Sequence, residues 1–252
     1  MYQTIKLSKE ENITTIKFDN EATMNAMSQL FLKEFHEALE SVRCDADCRV
    51  LVLRGTQKVF SAGGNLREIA EADYEKAVLM ATDAHYIYDG ILNLEIPVIA
   101  ALDGIVYGGG LELALRCDIR FATPKTRMKF PEVDMGIIPG AGGISFLSKY
   151  LSPSDIAYYV YSCNQIPVEY AQSHGIIQEV FDSEDLYSYT MEFAKKLAKK
   201  PANALRAAKH EIVSTMYGDI RESLKLEIKE FASTLQIDGK AKIKEFFEKK
   251  SK

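Results

Sequence analysis

The stretch DGIVYGGGLELALRCD at residues 103–118 constrains this chain more than any other. The apolar run IPVIAAL (96–102) precedes it, and the consecutive glycines Gly108, Gly109 and Gly110 interrupt it. The residues from Leu111 to Arg116 then read as the first turns of a helix. A strand that feeds a glycine turn and then a helix leaves the first backbone N–H groups of that helix without partners. With the helix dipole behind them, such donors suit an anion or a developing negative charge. Glu112 falls one turn inside the helix, close to where that charge would be held. A carboxylate there makes sense for proton transfer. A tight helix–strand packing site beside a surface glutamate accounts for the same residues equally well on this stretch alone.

The rest of the chain narrows the setting. Its 252 residues suffice for one large domain, or a domain with an appendage, around a sizeable core. A composition 47% hydrophobic and 27% charged argues against disorder. A formal net charge of -5 removes any bulk attraction to nucleic acid or anionic membranes. No uncharged apolar run reaches the roughly 18 residues of a membrane span. The first residues, MYQTIKLSKEENIT, show neither a signal-peptide core nor a transit pattern, so a cytoplasmic location is expected. Cys44, Cys48, Cys117 and Cys163 have neither zinc-site spacing nor a disulfide framework and read as free thiols.

Segments 2–8 and 13–19, separated by the polar SKEEN, predict a hairpin. Ser28 is a candidate N-cap, and Leu30, Phe31, Phe35, Ala38 and Leu39 recur at helical spacing over 29–42. RVLVLRG (49–55) reads as a buried strand, and Val59-Phe60 enters a second glycine turn, SAGGN (61–65), followed by a helix start at 66–70. Residues 75–94 predict a long helix with Ala77, Met80, Ala81, Ala84, Ile87, Tyr88 and Ile91 on one side. Short strands at 119–122 and 127–130 lead to a third glycine turn, PGAGG (139–143). Helices at 144–150, 153–163 and from 168 to Gly175 come next, and then a strand at 176–180. Beyond it the pattern is helical: 184–199, 201–216, 218–235 and a Lys/Glu-rich tail at 239–252. This order predicts an α/β core over 1–181 and a C-terminal helical region over 182–252. No G-x-G-x-x-G follows the first strand and no Walker A sequence is present, which weakens a nucleotide-binding reading.

Two glycine turns after buried strands can place two backbone N–H groups at one carbonyl oxygen, the usual construction of an oxyanion hole. Here the sequence resembles a known family. FSAGGNLREI (60–69), DGIVYGGGLELALRCDIR (103–120) and FPEVDMGIIPGAGG (130–143) are similar to signature segments of the enoyl-CoA hydratase/isomerase family, the crotonase superfamily. NAM (25–27) and PANALRAAK (201–209) extend the resemblance over nearly the whole chain.

The resemblance implies a crotonase fold: a spiral of repeated β-β-α turns whose C-terminal helical region closes a homotrimer or a dimer of trimers. It implies a coenzyme A thioester as substrate, with no separate cofactor and no metal. The thioester carbonyl would lie between the N–H groups of Gly64 and Gly109, with Ala26, Ala62, Gly63, Asn65, Leu66, Gly108, Pro139 and Gly140 lining the substrate site. Glu112 and Glu132 match the two glutamates of the hydratases, where one carboxylate takes a proton from water and the other protonates the α-carbon. The pair favours hydration over the family's isomerisation, decarboxylation or hydrolysis. Two departures bear on the exact reaction. Asn65 stands where many hydratases carry Asp, and Asp134 is acidic at a place acidic in some dienoyl isomerases.

The other candidates have plainer readings. His36, His85, His174 and His210 lie outside every motif and are expected at solvated or helix-end positions. Tyr86 and Tyr88 lie on the helix that borders the acyl pocket in the family, and core or interface packing is their commoner use. Ser61 lacks a nucleophile elbow and reads as a turn residue. Lys195, Lys196, Lys199, Lys200, Arg206 and Lys209 form a local basic patch. It reads as a solvated helix face or, alternatively, a contact for coenzyme A phosphates. It is too small for the stripe that nucleic-acid binding needs, so no nucleic-acid or membrane partner is expected.

Overall fold

The computed structural model describes residues 2–250. Met1 and residues 251–252, the end of the expected tail, lie outside the described residues.

The chain opens with the expected hairpin, β1 (Ile5–Glu10) against β2 (Ile13–Phe18), antiparallel from Ile5↔Phe18 to Glu10↔Ile13. The turn shrinks to Glu11 and Asn12, with Glu11 at φ 51°, so the polar residues 8–10 belong to the strand. They can do so because β1 is an edge strand with polar side chains exposed to water. In α1 (Gln29–Cys44) the Ser28 hydroxyl accepts from Phe31 N–H at 3.1 Å, the N-cap expected from sequence. Phe31, Phe35, Ala38 and Leu39 are buried, whereas Leu30 lies off the packed face and is exposed.

Three β-β-α turns follow. The first is β3 (Val50–Arg54), β4 (Val59–Ser61), α2 (Leu66–Ala70) and α3 (Tyr74–Leu92). The second is β5 (Val98–Leu102), β6 (Ile105–Tyr107) and α4 (Gly109–Ala114). The third is β7 (Ile119–Ala122), β8 (Arg127–Lys129), a 3-10 turn at Val133–Met135 and α5 (Gly143–Leu147). After α6 (Pro153–Ser162) and α7 (Val168–Ser173), β9 (Glu179–Val180) closes the main sheet. In each turn the first strand joins a six-stranded sheet, β1-β2-β3-β5-β7-β9, and the second joins a three-stranded sheet, β4-β6-β8. Every pairing between these strands after the first hairpin is parallel, and Met128 of β8 also makes an isolated antiparallel bridge to Ile166.

Two elements differ from the sequence expectation. Ile105–Tyr107 is a strand that the sequence hides. Its three residues are too few for a periodic signal, and the pairing to β4 and β8 defines it. Thus the strand that delivers the glycine turn is β6, in the small sheet, and not the longer apolar β5. The expected strand at 176–180 shortens to Glu179–Val180, because the N–H groups of Ile176 and Ile177 turn back to the Ala171 carbonyl.

The inner strands β3, β5 and β7 of the six-stranded sheet are buried on both faces, as parallel strands require. Leu51, Leu53, Ala100 and Leu102 point into the core that holds α1 and the small sheet. Their neighbours Val50, Val52, Ile99 and Ala101 point the other way, onto α8 (Leu186–Ala198) through Leu186, Met191 and Ala194. The helices α9 (Ala202–Tyr217) and α10 (Ile220–Thr234), a π turn at Leu235–Gly239 and α11 (Lys240–Lys250) complete the described chain. Lys209 fastens α9 to the core, with its buried ammonium on the carbonyls of Ile91 and Ile96 and the Asp118 carboxylate.

Candidate active site

The two glycine turns leave adjacent strands of the small sheet, β4 and β6, so they emerge side by side. The loop at 24–27 is stitched along the first. Asn25 donates its side-chain amide to the carbonyls of Val59 and Phe60, and the buried Ser61 hydroxyl donates to Asn25 O and accepts from Gly63 N–H. Met27 N–H donates to Gly63 O at 2.8 Å. Ser61, expected in the turn, is instead the last residue of β4, where its hydroxyl ties the turn to the 24–27 loop. Gly63, at φ 95°, passes so close to the second turn that a Cβ would lie 2.8 Å from Tyr107 O. Gly109 opens α4, and a Cβ on it would lie 3.6 Å from Gly64 N. Neither Gly64 N–H nor Gly109 N–H has an acceptor within the chain among the described residues. Two unengaged donors a few ångströms apart are suited to hold one oxyanion.

Glu112 is 3% exposed, at the end of the first turn of α4. Its Oε1 accepts from Ala141 N–H and Gly143 N–H, both at 2.8 Å, so the third glycine turn closes on the carboxylate. Burial pushes its pKa up, against the opposing pull of those two N–H groups and of the Arg116 charge. Glu132 follows β8 and lies against the second glycine turn. A Cβ on Gly108 would stand 2.5 Å from its Oε1, and Gly108 itself is at φ 47°. Glycine at 108 is thus needed twice, for the backbone and for the carboxylate beside it. Glu132 Oε2 is enclosed and has no hydrogen-bond partner. Burial raises the Glu132 pKa to about 7, with the negative charge of Glu112 adding to the rise.

Both carboxylates line one cavity of about 260 Å³, together with Gly64, Asn65, Gly109 and Gly140. Of the expected substrate residues, Ala26, Ala62, Gly63, Leu66, Gly108 and Pro139 do not line it. Gly63 and Gly108 shape the turns beneath, and Leu66 is half exposed on α2. Asn65 also caps α2, accepting from Arg67 N–H and donating to Glu68. The apolar wall combines Met27, Met80, Ala81 and Tyr88 with Ile137 and Ile138. Tyr88 is buried and donates to the Met27 sulfur, whereas Tyr86 is 70% exposed. The helical periodicity places Tyr88, and not Tyr86, on the apolar side of this helix, and the structure buries that side at Ile87, Tyr88 and Ile91. Met27, Ile137 and Ala141 were not expected in the site. Each lies inside a motif whose other residues drew attention, and only the folding back of the third turn brings Ala141 there.

Other candidates fall away from the cavity. None of the four histidines lines it. Asp134 is exposed on its 3-10 turn and is not part of the lining. In the basic patch, Lys195 pairs with Glu10, Lys196 with Glu192, Arg206 with Glu95 and Lys209 with Asp118, so most of its charge is balanced internally. No cluster of metal-ligating side chains occurs among the described residues, and no helix there is long and apolar enough to cross a membrane.

Paired parallel sheets built by a β-β-α spiral, with a two-donor oxyanion site and two carboxylates at one cavity, define the crotonase class of fold. The comparisons agree. A sequence profile described as enoyl-CoA hydratase/isomerase matches residues 8–252, and the chain belongs to that family. It is 31% identical to the 2,3-dehydroadipyl-CoA hydratase of Escherichia coli K12 over 206 residues, 82% of this chain and 80% of that one. It is 29% identical to the crotonyl-CoA hydratase of Syntrophomonas wolfei, over 91% of this chain and 89% of that one. A crystal structure of an enoyl-CoA hydratase subunit from Geobacillus kaustophilus superposes with a TM-score of 0.93 at 30% identity, covering 98% of this chain and 96% of that one.

Proposed function

We propose that this protein is an enoyl-CoA hydratase that adds water across the 2,3-double bond of an acyl-CoA thioester. The observation that carries the reading is a buried carboxylate, Glu112, and a half-buried one, Glu132, at one cavity, beside the free N–H groups of Gly64 and Gly109. The thioester oxygen lies between those donors, which stabilise the enolate as negative charge moves onto it. Glu112 takes a proton from water as the water oxygen bonds to C3. Glu132 gives a proton to C2, and the two carboxyl groups then exchange one proton to reset. This division follows the environments: two N–H groups favour the Glu112 carboxylate, whereas the unpaired Oε2 of Glu132 and its pKa of about 7 favour a proton-carrying acid.

The cavity lining contains no Lys, Arg or His, which supports an uncharged acyl chain rather than a dicarboxylic one. Asp134 is exposed and outside the cavity lining, so the acidic departure at that position adds no carboxylate to the site and the two-glutamate reading stands. The reading includes a homotrimer or dimer of trimers, supported by the exposed apolar stripe Ile220, Leu224, Ile228 and Phe231 on α10, and it is checked by light scattering. It includes a cytoplasmic location, supported by four unpaired cysteines and checked by fractionation.

The deciding assay is incubation with crotonyl-CoA, following loss of the conjugated thioester and formation of the 3-hydroxyacyl product. Migration of the double bond in a 3-enoyl-CoA without any hydration would overturn the reading in favour of an isomerase.

A further inference from the structure

Arg116 takes no part in the chemistry above, yet its guanidinium is fully buried beside the site. A buried charge persists only when its donors are satisfied. Nε donates to Asp89 Oδ1 at 2.7 Å, Nη1 donates to Ala141 O at 2.7 Å and to Glu112 O at 3.2 Å, and Nη2 lies 3.2 Å from His85 Nδ1. The Phe146 ring packs on the guanidinium, 4.1 Å from its carbon. One side chain thus joins three walls of the cavity: α3 through Asp89 and His85, α4 through the Glu112 carbonyl, and the turn at 139–143 through Ala141.

Ala141 is the link that matters. Its carbonyl is held by Arg116, and its own N–H is one of the two donors on Glu112 Oε1. The second donor, Gly143 N–H, lies two residues further along the same turn. We infer that Arg116 is a positioning residue: by holding Ala141 it keeps both N–H groups on Glu112 and so sets the orientation of the carboxylate that receives the proton from water. The inference rests on the hydratase reading for its kinetic consequence, but not for its structural one.

Arg120 supplies an internal control. It is just as buried, and it bonds the carbonyls of Ile176 and Cys117 and the Tyr150 hydroxyl, none of which lines the cavity. Losing it should harm the fold without touching Glu112.

The test compares Arg116→Met, Arg116→Lys and Arg120→Met in the full chain. Two readouts are used: kcat and KM with crotonyl-CoA, and the titration of the Glu112 carboxyl by NMR of 13C-labelled glutamate, assigned with Glu112→Gln. The charged or titratable groups acting on Glu112 are Arg116, Tyr88 and Glu132. Arg116→Met should lower kcat on the order of 10–100-fold, as expected for a misplaced reacting group, with KM within about threefold. It should move the Glu112 titration upward, and Arg116→Lys should recover part of both effects. In a Glu112→Gln background, Arg116→Met should cost no further activity, because the two act as a unit. An equal fall in kcat for folded Arg120→Met, or an unmoved Glu112 titration in the Arg116 variants, overturns the inference. If Arg116→Met does not fold, Arg116→Lys decides by the same readouts. If the wild type hydrates no enoyl thioester, the hydratase reading fails, while the Glu112 titration in Arg116→Lys, which keeps the charge but not the guanidinium bond to Ala141, still decides the positioning role of Arg116.

Discussion

Glu112 and Glu132 reach one cavity from two differently built regions. Glu112 stands on α4, where Gly110, Leu111, Leu113 and Ala114 are all buried, and a second turn of the chain folds over to hold its carboxylate. Glu132 stands at the head of a segment whose residues 133–138 are all exposed, and one of its oxygens is enclosed with no partner. The same side chain is thereby given opposite proton preferences. N–H donors favour the ionised form, and an enclosed oxygen without a donor favours the protonated one. Burial raises both pKa values, so the contrast lies in what opposes the rise at each residue.

The largest expected effect removes one carboxylate at a time. Glu112→Gln keeps an oxygen to accept the two N–H groups but cannot take a proton, and kcat for hydration should fall by about 10³–10⁴-fold. Glu132→Gln should lower it by about 10²–10³-fold. Binding of a saturated acyl-CoA, measured by calorimetry, should survive in both. Either variant remaining within a few-fold of wild type would break the division of labour between the two regions.

A smaller effect is expected where the regions touch. Gly108→Ala would force an L-residue to φ 47° and press a methyl group onto Glu132 Oε1. Activity should fall about 10–100-fold through displacement of the carboxylate, with a loss of about 1–2 kcal/mol in stability by chemical denaturation. Full activity in this variant would mean that Glu132 can move freely away from the turn. The pH dependence follows in size. With Glu132 as the acid, kcat/KM should decline about tenfold per pH unit above its pKa, which lies at about 7. That alkaline limb should be absent from the residual activity of Glu132→Gln.

The glutamates and the glycine turns were legible in the sequence because each sits inside a contiguous motif. The spiral was legible only in part. Val50–Arg54 and Val98–Leu102 announce themselves as apolar runs, whereas Ile105–Tyr107 is a strand only by virtue of its neighbours. The role of Ala141 was hidden because a backbone N–H has no signature in the sequence. Arg116 was hidden for a related reason: its partners, His85, Asp89 and Ala141, come from separate elements, and no local pattern links them. Lys209 read as a surface cation within a basic patch, yet it is buried on Asp118 and two carbonyls, since nothing local tells a helix face that docks from one that is solvated.

The smallest expected effect concerns stability alone, and its size distinguishes the two regions. Glu132 has a folded pKa near 7, above the usual carboxylate value of 4.5. Between those values the native state binds more protons than the unfolded chain, so this group's contribution to stability falls as pH rises through that window. Replacing it by Gln removes the dependence. Glu132→Gln should therefore be more stable than wild type at pH 8 by about 1–2 kcal/mol, allowing for the partial exposure of the group. The difference should shrink toward zero near pH 5, where the wild-type carboxyl is already protonated in the folded state. Glu112→Gln also relieves a burial cost, but the amide loses the charge that strengthens its bonds to the Ala141 and Gly143 N–H groups and that lies near Arg116. Its gain at pH 8 should be the smaller of the two. Denaturant unfolding of both variants at pH 5 and pH 8 makes the comparison, and a larger gain from Glu112→Gln would reverse the assignment of the clamped and the unpartnered carboxylate.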